Sequence, residues 1–169
     1  EAGIAENTMI VFCSDNGPVM DDGYKDFALE QLGEHRAGGP FSGGGKYSVY
    51  EGGTRTPFIT RWKGRIKPQV SDEVVCTIDF ATSLSKFAGV EIPDEAFTDS
   101  LDVMGALLGE EGAKGRDHLV VQPNKAGNWG YRVGNWKLQR ADNKQARNVV
   151  VETKLANTKV PQFQLFDLS

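Results

Sequence analysis

The stretch Met9-Ile10-Val11-Phe12-Cys13-Ser14-Asp15-Asn16-Gly17-Pro18 decides the fold. Its first five residues are an unbroken apolar run, the pattern of a strand buried on both faces, as in a parallel sheet covered by helices. The run stops in turn chemistry, Ser14-Asp15-Asn16-Gly17-Pro18. In open α/β sheets ligands bind beyond the carboxyl ends of strands, so polar residues directly after such a strand are site candidates. Asp15 and Asn16 offer a carboxylate and a carboxamide oxygen, hard donors suited to Ca²⁺ or Mg²⁺. Taken alone, Asp-Asn-Gly also reads as an Asx turn that ends a strand.

Working outward, residues 1–8 read as the end of a helix running into that strand, without a leader, so the chain is expected to be a fragment or a mature form. Residues 19–53 are long, polar and glycine-rich, with Gly38-Gly39-Pro40 and Gly43-Gly44-Gly45. Loops of this length are functional or disordered more often than structural. Within it, residues 24–32 suggest a short helix with Phe27, Ala28 and Leu32 on one side. Gly43-Gly44-Gly45-Lys46 delivers a cation on a loop whose backbone can approach an oxyanion closely. Tyr47 follows Lys46, so the loop is not a Walker A motif. Alone, it also reads as a flexible loop with a solvated lysine.

Phe58-Ile59-Thr60-Arg61-Trp62 is a second strand, and Asp79 is placed to cap a helix with Phe80, Leu84, Phe87 and Ala88 on one face, closed by Gly89. Residues 102–108 form a shorter helix closed by Gly109. From His118 the pattern changes to strands at 118–122, 129–133, 136–140 and 162–167, with Gly134-Asn135 as a hairpin turn. We place a boundary near residue 113. The expected fold is α/β: residues 1–113 end a sheet domain, and residues 114–169 form a small antiparallel α+β subdomain, four strands packed on a helix.

Composition narrows the function. The 169 residues are 39% hydrophobic and 25% charged, enough apolar material for a core. Net charge is -4 and the isoelectric point is near 5.2, which gives no electrostatic reason to expect nucleic-acid binding. No apolar run approaches the roughly 18 residues of a membrane span. Cys13 and Cys76 are not in a C-x-x-C pair, which argues against a zinc ribbon or thioredoxin-like site; they read as two small buried thiols, and a disulfide between them stays open.

In combination the segments resemble the sulfatase family, within the alkaline phosphatase superfamily. Ser-Asp-Asn-Gly after an apolar strand is followed by a long loop, then Gly45-Lys46 and Glu51-Gly52-Gly53-Thr54-Arg55-Thr56-Pro57, then a strand. Ile78-Asp79-Phe80-Ala81-Thr82-Ser83-Leu84, Asp99-Ser100-Leu101-Asp102 with Leu107-Leu108-Gly109, Gly134-Asn135-Trp136-Lys137-Leu138 and Gln164-Leu165-Phe166-Asp167-Leu168 follow in family order. One departure is a glycine missing near Asp99.

The resemblance implies the C-terminal portion of a sulfuric ester hydrolase of arylsulfatase type with an alkaline-phosphatase-like sheet domain. Asp15 and Asn16 match Ca²⁺ ligands, and Lys46 matches a catalytic lysine that contacts the sulfate ester. His35 either faces the substrate or is an exposed loop histidine. His118 reads as structural, and Glu51 and Arg55 as residues that hold the loop. Neither cysteine fits the C/S-x-P/A-x-R motif that yields a formylglycine nucleophile. The resemblance therefore places the nucleophile on an upstream N-terminal segment and leaves this chain inactive alone. Asn16, where phosphatases of the superfamily carry histidine, favours calcium over zinc or manganese. The loop from Asp21-Asp22-Gly23-Tyr24 to His35 resembles carbohydrate sulfatases of bacteria, which implies a sulfated small molecule or glycan, with galactose-type sugars first, and a periplasmic or secreted setting. A phosphonate or phosphodiester hydrolase of the same superfamily, or a non-catalytic sulfated-glycan-binding relative, is the alternative.

Overall fold

The computed structural model describes residues 2–19, 21, 23–41, 43, 45–123, 127–141 and 160–169. Asp22 and Gly44 of the motifs above lie outside the described residues. The chain forms two compact units, each built from two separate stretches: Glu1–Cys13 with Phe58–Asp117, and Ser14–Pro57 with His118–Ser169.

In the first unit, β1 (Met9–Cys13) pairs with β2 (Phe58–Trp62). The pairing is antiparallel, from Met9 opposite Trp62 to Cys13 opposite Phe58, and not the parallel neighbour that the apolar run suggested. Burial alternates along β1, so one face only is covered; Ile10, Phe12 and Ile59 lie exposed on the other. An unbroken apolar run states what both faces tolerate, not which of them this chain covers. The covered face packs Met9 and Phe58 on Val103, Met104 and Leu107.

Helix α3 (Asp79–Phe87) departs from its amphipathic reading. Its buried residues are Asp79, Thr82 and Ser83, while Leu84 and Phe87 are exposed. Hydrogen bonds explain the inversion. The Thr82 N–H donates to Ser100 Oγ at 3.0 Å, and the Thr82 hydroxyl donates to the Ser100 carbonyl at 3.2 Å. Ser83 Oγ accepts the Val103 N–H at 2.9 Å. Asp79 is the first helical residue, not the cap: its carboxylate accepts the N–H groups of Cys76 at 3.0 Å and Leu101 at 2.9 Å. Helix α4 (Met104–Leu108) starts where Asp102 Oδ1 accepts the Met104 N–H, and ends at Gly109 in the left-handed region. Cys13 and Cys76 are both free thiols, partly buried.

In the second unit, α1 (Ala28–Gln31) is a single turn, shorter than the helix expected over 24–32. Phe27 has φ 59°, outside the helical region, and the Ala28 N–H is taken by Asp26 Oδ1, so no helix precedes Ala28. Four strands, β3 (His118–Val121), β4 (Trp129–Val133), β5 (Trp136–Arg140) and β6 (Phe163–Asp167), form one antiparallel sheet in chain order. The β4–β5 hairpin turns at Gly134-Asn135 as expected, with Gly134 at φ 54°. On β5 the polar Lys137 and Gln139 are buried, whereas Trp136 and Leu138 are exposed. The covered face meets the segment around Val49 and Tyr50, which leads into the one-turn helix α2 (Glu51–Thr54).

Candidate active site

The site is built on the turn after β1. Ser14 Oγ donates to the Asn16 carbonyl at 2.8 Å, and Asn16 Nδ2 donates to the Gly17 carbonyl at 2.8 Å. The amide nitrogen of Asn16 is thus engaged by the carbonyl of the next residue, which fixes the side chain and orients Oδ1, the group's acceptor. Asp15 is exposed and Asn16 half-buried.

Backbone hydrogen bonds bring the second motif to this turn. The Gly17 N–H donates to the Gly53 carbonyl at 3.0 Å, and the Lys46 N–H donates to the Pro18 carbonyl at 3.0 Å. The approach at Gly17 is close enough that a Cβ there would collide with the Gly52 carbonyl, which is why the turn requires glycine. Tyr47, directly after Lys46, has φ 69°, a conformation uncommon for a bulky residue and concentrated at functional sites. The Lys46 ammonium lies 5.1 Å from the Tyr47 ring centroid.

Asp15, Asn16 and Lys46 therefore share one region of the second unit. His35 is exposed, and among the described residues no hydrogen bond joins it to the other three. An open cleft of about 700 Å³ lies beside Asn16 and Pro18, bounded across by Ala37 and Phe41. Arg55 lines it, with its guanidinium carbon 4.8 Å from the Phe41 ring centroid.

The donor set fits a hard divalent cation as a half-site. Asp15 and Asn16 supply oxygen donors, and calcium takes 6–8. Among the described residues no group of three or more His, Cys, Asp or Glu comes together as a metal site.

One pair beside the site was missed in the sequence. Lys137 Nζ donates to Glu51 Oε1 at 2.6 Å, with side chains 3% and 13% exposed. Burial lowers the lysine's proton affinity below its ordinary value, and the Glu51 carboxylate opposes that in part. The signal available was a lysine in strand alternation with Gln139, a pattern that reads as a solvated face.

The Sulfatase family model matches residues 1–90. The chain belongs to the sulfatase family. An N-acetylgalactosamine-6-O-sulfatase of Bacteroides thetaiotaomicron is 38% identical to this sulfatase chain over 166 residues, 98% of the chain and 32% of that protein. An arylsulfatase of Hemicentrotus pulcherrimus is 32% identical, over 81% of the chain and 23% of its own length. A solved structure from work on glycosaminoglycan metabolism by Bacteroides thetaiotaomicron superposes with a TM-score of 0.81 at 36% identity, covering 98% of this chain and 33% of that one. This sulfatase chain thus spans about a third or less of the length of those relatives. No helix among its described residues is long and apolar enough to cross a membrane.

Proposed function

We propose that the complete protein hydrolyses sulfate esters of a carbohydrate, and that this chain contributes Asp15 and Asn16 as metal ligands and Lys46 as a sulfate-binding, catalytic cation. The observation that carries the reading is the backbone coupling of the Asp15-Asn16 turn to the Lys46 loop, in a chain of this family. Bound Ca²⁺ would offset negative charge on the sulfate oxygens. Asn16, held by its bond to the Gly17 carbonyl, would present a fixed amide oxygen, and Lys46 would stabilise a sulfate oxygen where charge gathers. His35 is a substrate contact in this reading only if the substrate reaches the exposed loop. The name of the Bacteroides relative makes 6-O-sulfated N-acetylgalactosamine the first sugar to try.

The nucleophile, a formylglycine, and the remaining ligands belong in this reading to an upstream segment. That segment would cover the exposed face of Ile10, Phe12 and Ile59, since an apolar patch of this kind marks an interaction surface. A division of the complete protein near residue 113 and a periplasmic or secreted location complete the proposal. The test is the rate of the full-length protein on the sulfated sugar against the matched phosphate ester. Preference for sulfate supports the reading; preference for phosphate supports the phosphodiesterase alternative and refutes it.

A further inference from the structure

We propose that Lys137, far from the site in sequence, is a positioning residue for it, acting through Glu51. The inference deepens the sulfatase reading and rests on its assignment of the site, but its geometry stands on its own. Glu51 opens α2, and its carboxylate is held by the Lys137 ammonium at 2.6 Å with both side chains largely out of water. The strand is built to deliver this lysine: Gly130 on β4 leaves room for its stem, since a Cβ there would lie 3.2 Å from Lys137 Cε.

From Glu51 the constraint passes through backbone with no slack. Buried Gly52 and Gly53 follow at once, and the Gly53 carbonyl accepts the Gly17 N–H next to Asn16. A Cβ at Gly53 would run into the carbonyls of Ser48 and Gly45, the latter directly before Lys46. A shift of α2 therefore has to move the turn carrying Asp15-Asn16, the loop carrying Lys46, or both. Tyr50, whose hydroxyl shares a 3.2 Å hydrogen bond with the Gln164 amide, anchors the same segment from its other side but carries no charge to fix the direction of α2. Losing outer partners of this sort typically costs about 10–100-fold in metal affinity or activity.

The experiment uses the full-length protein with two variants, Lys137→Met and the double variant Glu51→Gln/Lys137→Met. The double variant leaves no orphaned charge and is the one to rely on if the single variant fails to fold. Two readouts are taken: kcat and KM on a sulfate ester, and hydrogen exchange at the Gly17 and Lys46 amides. We expect kcat to fall about 10–100-fold in both variants with KM nearly unchanged. Exchange at Gly17 and Lys46 should accelerate about tenfold relative to the Leu101 amide, even where the double variant melts like wild type. A double variant with wild-type kcat, or with Gly17 and Lys46 protected as in wild type, overturns the proposal. If the wild-type protein hydrolyses no sulfate ester, the sulfatase reading fails, and the exchange measurement still decides whether Lys137 positions these loops.

Discussion

Among the described residues each unit contains one buried acid–base pair, Asp79 with Arg116 and Glu51 with Lys137, and the two differ in how completely they are satisfied. Asp79 is fully buried and accepts from three donors: the Cys76 N–H, the Leu101 N–H and the Arg116 guanidinium, which also reaches the Asp99 carbonyl. Glu51 meets the single ammonium of Lys137, and on the same sheet face the Gln139 side chain, together with that of Asn128, has no hydrogen-bond partner among the described residues. The first arrangement ties a helix start to two loops and satisfies backbone groups that would otherwise be orphaned. The second keeps a costly charge beside the candidate site. A buried pair is weak evidence for stability in general, because desolvation offsets attraction. A pair retained at that cost, next to a loop that must be placed accurately, points to placement.

The largest effect expected is on the first pair. Asp79→Ala leaves Arg116 buried without its carboxylate and two backbone N–H groups without acceptors, and should destabilise the protein by about 3–5 kcal/mol. Denaturant unfolding measures it, and a loss under about 1 kcal/mol would remove the contrast between the units.

Replacing both members of each pair sharpens the comparison. Glu51→Gln/Lys137→Met should leave stability near wild type or above it, since neutral isosteres escape the desolvation cost. Asp79→Leu/Arg116→Met should still lose roughly 1–3 kcal/mol for each of the Cys76 and Leu101 N–H groups left unsatisfied. Equal melting behaviour of the two double variants would mean that the pairs are not different in kind.

The smallest effect is alkaline. Burial holds Lys137 below the ordinary lysine value of 10.5 in the folded protein. Between the folded value and 10.5 the unfolded chain binds more protons than the folded one, so stability rises with pH through that window. Lys137→Met should flatten this rise, measured as denaturation midpoints from about pH 8 to pH 10.5 against wild type. An unchanged slope would mean that Lys137 is not the group responsible.

Much of this was legible in the sequence, and the failures share a cause. Strand β1 and the Ser-Asp-Asn-Gly turn, strand β2, the hairpin at Gly134-Asn135 and the stop at Gly109 follow from local chemistry, and all appear. Asp15, Asn16 and Lys46 were nominated by motif, and the structure gathers them through the Gly17 and Lys46 backbone bonds. Which face is covered was not legible. Periodicity says which residues share a face, so Ile10 and Phe12, within an unbroken apolar run, read as buried. Observed burial is the reverse for each, because it depends on what packs opposite. The polar face of α3 was hidden for the same reason: Thr82 and Ser83 are buried by hydrogen bonds to residues 100–103, about twenty positions away.

The central claim is that Lys46 acts on a sulfate ester beside metal ligands at Asp15 and Asn16. The most direct measurement is kcat/KM of full-length wild type and Lys46→Ala on one sulfate ester, with unfolding curves as the control for folding. The account predicts a fall of about 10²–10³ with the unfolding midpoint unchanged, the loss expected for a charge placed at a developing oxyanion. A variant that unfolds like wild type and keeps wild-type turnover would contradict it.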